Sequence, residues 1–135
     1  MVNYWLWVAK RGSKPNMICD KKLNWEGCNY ETEEGDLALI YRAKPFQRIQ
    51  FLVRALSDSK LKPNPEDIYN CDFEVLYDFG DKSLDFKSMQ NKEDLSDWYP
   101  LKIMFMKRNF SIEPKHWRKL REILIKESPK AIDMF

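Results

Sequence analysis

Residues 24–36 combine two aromatic side chains with two glycines and four glutamates, and they show no apolar periodicity. This composition predicts a loop, and a tryptophan in a loop needs either a core to plug or a ligand to contact. Trp25 has no periodic apolar neighbours, and Gly27 lets another backbone approach closely. The residues alone leave both roles of Trp25 open, a plug of the core and a wall of a binding site.

Stacking on a nucleobase is the chemistry that suits a chain with five Trp, six Tyr and eight Phe. Unpaired or flipped bases are held between aromatic faces, with hydrogen bonds along the base edge. Such a pocket needs aromatic walls, a polar floor and a cationic rim. The candidates are Trp7, Trp25, Tyr30, Tyr41 and Trp98 for walls, Asn29 and Asp36 for the floor, and Arg42, Lys44, Arg48, Lys107 and Arg108 for the rim.

A core role competes with a binding role for most of these aromatics. Trp5 and Trp7 have the same parity in a short aromatic segment, so they are expected to share one buried face. Tyr41 ends a continuous apolar run and can simply close the core, and Trp117 lies on the apolar stripe of a helix. Trp98 stays undecided between core and site.

The constellations that most enzymes need are missing from the sequence. His116 is the only histidine, and it lies within an amphipathic segment, where a helix-surface role is expected. The sequence has no HExxH, GxGxxG or GxxxxGK[ST] motif, and its acidic pairs are typical of solvated loops. We therefore expect a binding protein without catalytic residues, metal or cofactor.

Bulk properties limit the class of protein further. A chain of 135 residues suits one domain, and a net charge of +2 argues against a strongly cationic nucleic-acid packaging protein. Three cysteines without a CxxC pair favour a reducing compartment, so a cytoplasmic location is expected. The sequence shows neither a signal peptide nor an apolar run of the roughly 18 residues that a membrane helix requires.

The order of elements predicts an α+β fold. Strands are expected at 4–9, 37–41, 48–56 and 73–79, with the second and third forming a hairpin interrupted by Pro45. Residues 83–97 are expected to be irregular with a short helix, and 101–106 to form a strand or a buried turn. A helix is expected to begin at Pro114 and to end at Ser128. The sum is a small, strongly curved mixed sheet or barrel closed by helices.

Four motifs in order resemble those of EVE domains, members of the PUA-like superfamily. They are the opening Tyr4-Trp5-Leu6, the Trp25-to-Tyr30 stretch, the Gly35-to-Tyr41 stretch, and Phe110-to-Pro114 with Trp117. The resemblance implies a single domain over 1–135, a PUA-like curved mixed β-barrel of about five to six strands flanked by helices, with a C-terminal amphipathic helix. EVE domains are similar to YTH domains, which hold methylated adenine in an aromatic cage, and to modules of McrB-type restriction proteins.

The resemblance implies a non-catalytic reader of a modified base in DNA or RNA. A fused or associated effector, a nuclease or a GTPase motor, is then a candidate partner, and no membrane is involved. Trp25 matches a cage wall, while Gly27, Cys28, Asn29 and Tyr30 match the loop that borders the pocket. The second wall is expected among Trp7, Tyr77 and Trp98, and Lys10 and Arg11 follow the first strand as phosphate candidates.

This sequence departs from the family motif in two ways. Glutamates at 31, 33 and 34 replace a basic continuation, and Cys28 stands where Val-Arg is usual. Both changes predict a less basic rim. The alternative is a protein-interaction or targeting module of a larger assembly, in which the pocket is vestigial.

Overall fold

Eight strands lie in the part of the chain that the computed structural model describes, residues 2–9, 22–62 and 68–135. They are β1 (Tyr4–Ala9), β2 (Lys22–Glu26), β3 (Leu37–Arg42), β4 (Arg48–Ala55), β5 (Lys60–Lys62), β6 (Ile68–Asp78), β7 (Leu84–Asp85) and β8 (Asn109–Ser111). β1, β3 and β4 begin where the sequence predicts them, because their apolar and β-branched runs are strong strand signals.

Helices follow the main strands. They are α1 (Phe86–Gln90), α2 (Tyr99–Lys102) and α3 (Pro114–Glu127), with 3₁₀ turns at Gly80–Lys82, Glu93–Leu95 and Pro129–Met134. α3 confirms the predicted helix, since Pro114 occupies its first turn and Ser128 is its C-terminal cap. Its apolar stripe buries Trp117, Leu120 and Leu124. None of the helices in the described ranges is both long and apolar enough to cross a membrane.

The strands form one mixed sheet in the order β2-β6-β4-β3-β1-β8. β1 and β3 are parallel, and every other pairing on this path is antiparallel. β5 adds to β6, and β7 adds to β4. Register shifts at Ile40/Tyr41 and at Leu52/Val53 bend the central strands, as bulges do. The result is a curled half-barrel sheet with a C-terminal helix, which confirms the predicted α+β class.

Two hydrophobic clusters lie on opposite faces of the sheet. The first contains Leu6, Leu39 and the stripe of α3, and the second contains Trp5, Trp7 and Ile40. Successive residues of a strand point to opposite faces, so the predicted shared face of Trp5 and Trp7 is confirmed. α3 packs on the first cluster, and the second cluster lies on the concave face, where Trp7 of β1 and Trp25 of β2 stack across the sheet.

Three segments differ from the sequence predictions. Trp25 belongs to β2, so the predicted loop is wrong at its start. Of the residues 101–106, expected to form a strand or a buried turn, the first two end α2, because Pro100 suits the first turn of a helix, and 103–105 form the turn. Between the strands predicted at 48–56 and 73–79, residues 60–62 form the additional strand β5, which pairs with the long strand β6.

Candidate functional site

Trp25 and Trp7 stack face to face at the open side of the curl, with ring centroids 5.8 Å apart and planes 16° apart. Phe73 meets both indoles edge-on, at 6.2 Å from Trp7 and 6.0 Å from Trp25. Trp7 is 0% exposed, whereas Trp25 is only partly buried. Of these three rings, which we call the tryptophan seam, Trp25 alone has surface available to a ligand, and Trp7 and Phe73 hold it in place.

A chain of side-chain amides ties the loop after β2 to β8. The Trp7 Nε1–H donates to Asn29 Oδ1 at 3.1 Å, and Asn29 Nδ2 donates to Asn109 Oδ1 at 3.1 Å. Asn109 Nδ2 then donates to the Gly27 carbonyl at 2.9 Å. An indole N–H is only a donor, so it fixes the orientation of each amide in this asparagine relay. Asn109 was not among the sequence candidates, because its role depends on β8 lying beside Trp7.

Gly27 is where the loop leaves the sheet. Its φ is +104°, and a Cβ at this position would lie 3.6 Å from the Arg108 Cδ. Its N–H donates to the Tyr69 carbonyl at 2.8 Å, which keeps the turn against β6. The positive φ favours glycine at this position. Arg108 is thus the rim candidate that the structure places directly against the loop.

Asp36 is a buried anchor and not a pocket floor. It is 2% exposed and accepts hydrogen bonds from Trp5 Nε1 at 2.8 Å, the Asn3 N–H at 3.0 Å and the Glu33 N–H at 2.9 Å. Asn3 Nδ2 donates a fourth at 3.2 Å. Donors within the protein therefore already bind this carboxylate. Its role is to fix the end of the acidic loop to the start of β3.

Cys28 turns inward and does not border a pocket through its side chain. It is 2% exposed and packs with Cys71, which is 0% exposed, in the second cluster. The neighbouring Cys71 thiol holds the pKa of Cys28 below its usual value, while Cys28 and burial raise the pKa of Cys71. The expected place of Cys28 on the pocket rim is therefore wrong.

Tyr30 is the exposed aromatic residue of the loop. Its side chain is 65% exposed, and its ring leans on Tyr69 with centroids 5.7 Å apart and planes 47° apart. Glu31, Glu33 and Glu34 are also exposed. The loop thus presents one aromatic ring beside several carboxylates.

The other proposed walls lie on the opposite face of the sheet. Trp98 is 2% exposed in the first cluster, between Phe105 and His116. Tyr77 packs on Phe79 with centroids 5.1 Å apart, and Tyr41 is 2% exposed. The structure brings none of these three to the seam, so the ring beside Trp25 is Trp7.

Most rim candidates gather at the β3–β4 hairpin. The Arg42 guanidinium lies 3.6 Å from the Phe46 ring centroid, and burial lowers the pKa of Arg42. Arg48 Nη1 donates to Ser83 Oγ at 3.1 Å, and Lys44 is exposed. Lys107 instead lies over the Tyr99 ring, 5.1 Å from its centroid. Lys10 and Arg11 lie outside the described residues.

The ionisable side chains of the described ranges do not form a metal cluster of three or more His, Cys, Asp or Glu residues. His116 is 7% exposed, and its Nε2 lies 3.2 Å from Asp97 Oδ1. The expected surface position of His116 is therefore wrong. Through its contact with Asp97, His116 connects α3 to the segment before α2.

No family model matches the sequence, and no curated protein matches it. Solved structures do share its fold. The NMR structure of protein Rpa0253 from Rhodopseudomonas palustris aligns with a TM-score of 0.71 at 14% identity, over 90% of this chain and 92% of that one. The crystal structure of protein Atu2648 from Agrobacterium tumefaciens gives 0.71 at 14% identity, over 93% of each chain.

A hypothetical protein from Leishmania major has the fold as well, with a TM-score of 0.68 at 14% identity over 95% of this chain and 98% of that one. At such identities the likeness establishes the fold alone.

Proposed function

We propose that this chain is an EVE-type domain of the PUA-like superfamily that binds a modified nucleobase on Trp25, without catalysis of its own. The observation that carries the proposal is the unequal burial of the two stacked indoles. Trp7 is completely buried, and Trp25 lies against it while remaining partly open to solvent. A ring fixed on one side and open on the other can stack on a base with little loss of its own freedom.

The polar groups beside Trp25 support the same function. Asn29 is partly buried and belongs to the loop that follows Trp25. An asparagine there can hydrogen-bond a base edge if the asparagine relay rearranges. Arg108 against Gly27 places a cation at the same loop, and Tyr30 offers a second exposed ring. The exposed glutamates disfavour phosphate on their side, so the strand is expected to approach from the Arg108 side.

The fold supports the PUA-like part of the proposal. A curled mixed sheet with a parallel pair of strands and a C-terminal helix is the architecture that the resemblance implies. The expected partners are DNA or RNA carrying the modified base, with a nuclease or GTPase motor as effector in the cytoplasm.

A binding panel tests the proposal. Fluorescein-labelled single- and double-stranded oligonucleotides, methylated and unmodified, are titrated with the protein and with Trp25→Ala and Trp25→Phe variants. Stacking contributes about 1–3 kcal/mol per base, so we expect Trp25→Ala to weaken binding of a modified strand roughly ten- to a hundredfold. Trp25→Phe should retain part of the affinity.

The control is Tyr99→Ala, which removes a ring that is 51% exposed and packs against Phe110. It should bind as the wild type does. Absence of binding across the whole panel, or equal losses for Trp25→Ala and Tyr99→Ala, would refute the proposal.

A further inference from the structure

A groove of about 490 Å³ lies beside the β3–β4 hairpin. The hairpin, the start of α1 and the loop after α2 form its walls. Its lining residues are Lys44, Phe46, Gln47, Arg48, Asp85, Phe86, Lys87, Gln90 and Met104. Leu84 and Phe105, which flank this lining in sequence, belong to the first cluster, whereas Trp25 packs against the second. The groove is therefore a different surface from the tryptophan seam.

The charge of the groove is mainly positive. Lys44, Arg48 and Lys87 line it, and Asp85 is the opposing carboxylate. Asp85 caps α1 by accepting a bond from the Ser88 N–H at 2.7 Å, and this bond holds its pKa below the usual value. Asp85 also attracts Arg48 and Lys87. Three cations against one carboxylate still leave a net positive charge that favours an incoming carboxylate.

Three apolar side chains, Phe46, Phe86 and Met104, also line the groove, and we call them its floor. The Arg42 guanidinium covers one face of Phe46, at 3.6 Å from the ring centroid, and the ring of Phe86 meets Phe105 at 72° with centroids 6.1 Å apart. Met104 is 58% exposed. A flexible thioether adapts to many apolar side chains, so the floor can accommodate an aliphatic or aromatic side chain of a partner.

Backbone strain concentrates at this groove. Among the described residues other than glycine, positive φ occurs at Gln47 (+49°), Met104 (+57°) and Phe105 (+55°). The first two line the groove, and Phe105 is buried and stacks on Tyr41 with centroids 3.9 Å apart. Such conformations are energetically unfavourable and cluster at functional sites. Here the two consecutive residues with positive φ point their side chains in different directions, Phe105 into the core and Met104 to the surface.

We propose that this groove docks an acidic peptide segment of a partner protein, with one apolar side chain of the segment against Phe46, Phe86 and Met104. The positive charge of the groove favours an acidic segment. The apolar floor favours a peptide over a nucleic-acid backbone, because only the peptide carries an apolar side chain that can pack there. A phosphodiester chain would use Lys44 and Lys87 but would gain nothing from Met104. The inference does not depend on nucleobase binding at Trp25.

Fluorescence anisotropy with defined probes tests the proposal. One labelled peptide carries Asp and Glu around a central Phe-Leu pair, a second replaces that pair with Ser-Gly, and the third probe is a single-stranded oligonucleotide. We expect the first peptide to bind best, with affinity that falls as salt rises. Lys44→Glu, Lys87→Glu and Met104→Gln should each weaken it roughly tenfold.

Lys126→Glu is the matched control, because it reverses an exposed lysine near the end of α3. It should bind the Phe-Leu peptide as the wild type does. Equal binding of the Ser-Gly peptide would overturn the apolar part of the proposal. Failure of the Phe-Leu peptide to bind would overturn the whole proposal. So would oligonucleotide binding whose affinity falls more in Lys44→Glu and Lys87→Glu than the affinity for the peptide does.

Discussion

Trp7 and Trp25 are stacked although β6, β4 and β3 separate their strands in the sheet. The sheet must therefore curl until its first and fifth strands meet through side chains. Trp25 thus packs on the concave face with one side of its ring and keeps an accessible surface on the other. It therefore combines the two roles considered for it, a core residue and a wall of a binding site. Trp7, which is 0% exposed, is a core residue that supports Trp25 and orients the asparagine relay from below.

Truncating the two indoles should have unequal effects on stability. Trp7→Ala is expected to lower the free energy of unfolding by about 3–5 kcal/mol, as for other large-to-small core changes. Trp25→Ala should cost about 1–3 kcal/mol, because it loses a stacked pair but less buried area. Urea unfolding followed by circular dichroism measures both. Equal losses would mean that Trp25 is as deeply structural as Trp7.

Asp36→Asn should destabilise the fold, because an amide can accept from only some of the four donors that converge on the carboxylate. Hydrogen bonds to charged groups contribute about 1.5–3 kcal/mol, and we expect a loss of about 2–4 kcal/mol in total. Asp58→Asn is the control, since Asp58 is exposed and accepts from the Glu34 N–H at 2.9 Å. A comparable loss in both variants would contradict the anchoring role of Asp36.

Stability should decline in alkaline solution because of Tyr41. Burial, with a smaller effect of Asp85, raises the pKa of Tyr41 from 10.0 to about 12. The unfolded chain releases this proton first, so stability is complete below pH 10 and is lost as pH rises toward 12. The slope is at most about 1.4 kcal/mol per pH unit.

Tyr41→Phe should flatten that decline, and Tyr99→Phe, which alters an exposed ring, should leave it as in the wild type. Denaturant unfolding at a series of pH values gives the slopes. Identical slopes in the wild type and in Tyr41→Phe would show that Tyr41 does not titrate in this way.

Cys28 and Cys71 should resist alkylation in the folded protein. Thiolate character promotes the reaction, but both thiols are buried, so iodoacetamide should reach them only after the structure opens. The experiment uses a Cys19→Ser background and mass spectrometry. Adding Ser96→Cys, at an exposed position, supplies a thiol that should react freely. Rapid modification of Cys28 beside that control would contradict its inward orientation, and protection by a bound oligonucleotide would return it to the pocket rim.

The sequence predicts the parts of the fold whose signals are local. β1, β3 and β4 have dense apolar runs, and α3 has both a proline start and a proline stop. β2 was missed, although Leu23 and Trp25 alternate with the outward Lys22, Asn24 and Glu26. Five residues give a short alternation, and the turn-forming residues that follow obscured it. Its strand character comes from pairing with β6, which is a long-range property.

The candidate site was predicted in part for a similar reason. Trp25 and Asn29 were named from the sequence, and the structure places both beside Trp7. Asn109 is not predicted, and Trp98 and Tyr77, named as possible second walls, lie on the other face of the sheet. Trp98 belongs to an irregular segment without the alternation of a strand. In β6, the register shift at Leu52/Val53 puts Tyr77 on the face opposite Phe73 and Val75. Only the β1–β8 register shows that Asn109 lies opposite Trp7.

The position of β1 in the sheet affects how the chain assembles during synthesis. β1 is made first, but its neighbours are β3 and β8. One edge of a Trp-rich strand therefore stays unpaired until residues 109–111 have left the ribosome. Unpaired apolar edges invite pairing with other chains. The interval between the synthesis of β1 and that of β8 is then a period of aggregation risk, and slowing translation between them should lower the soluble yield.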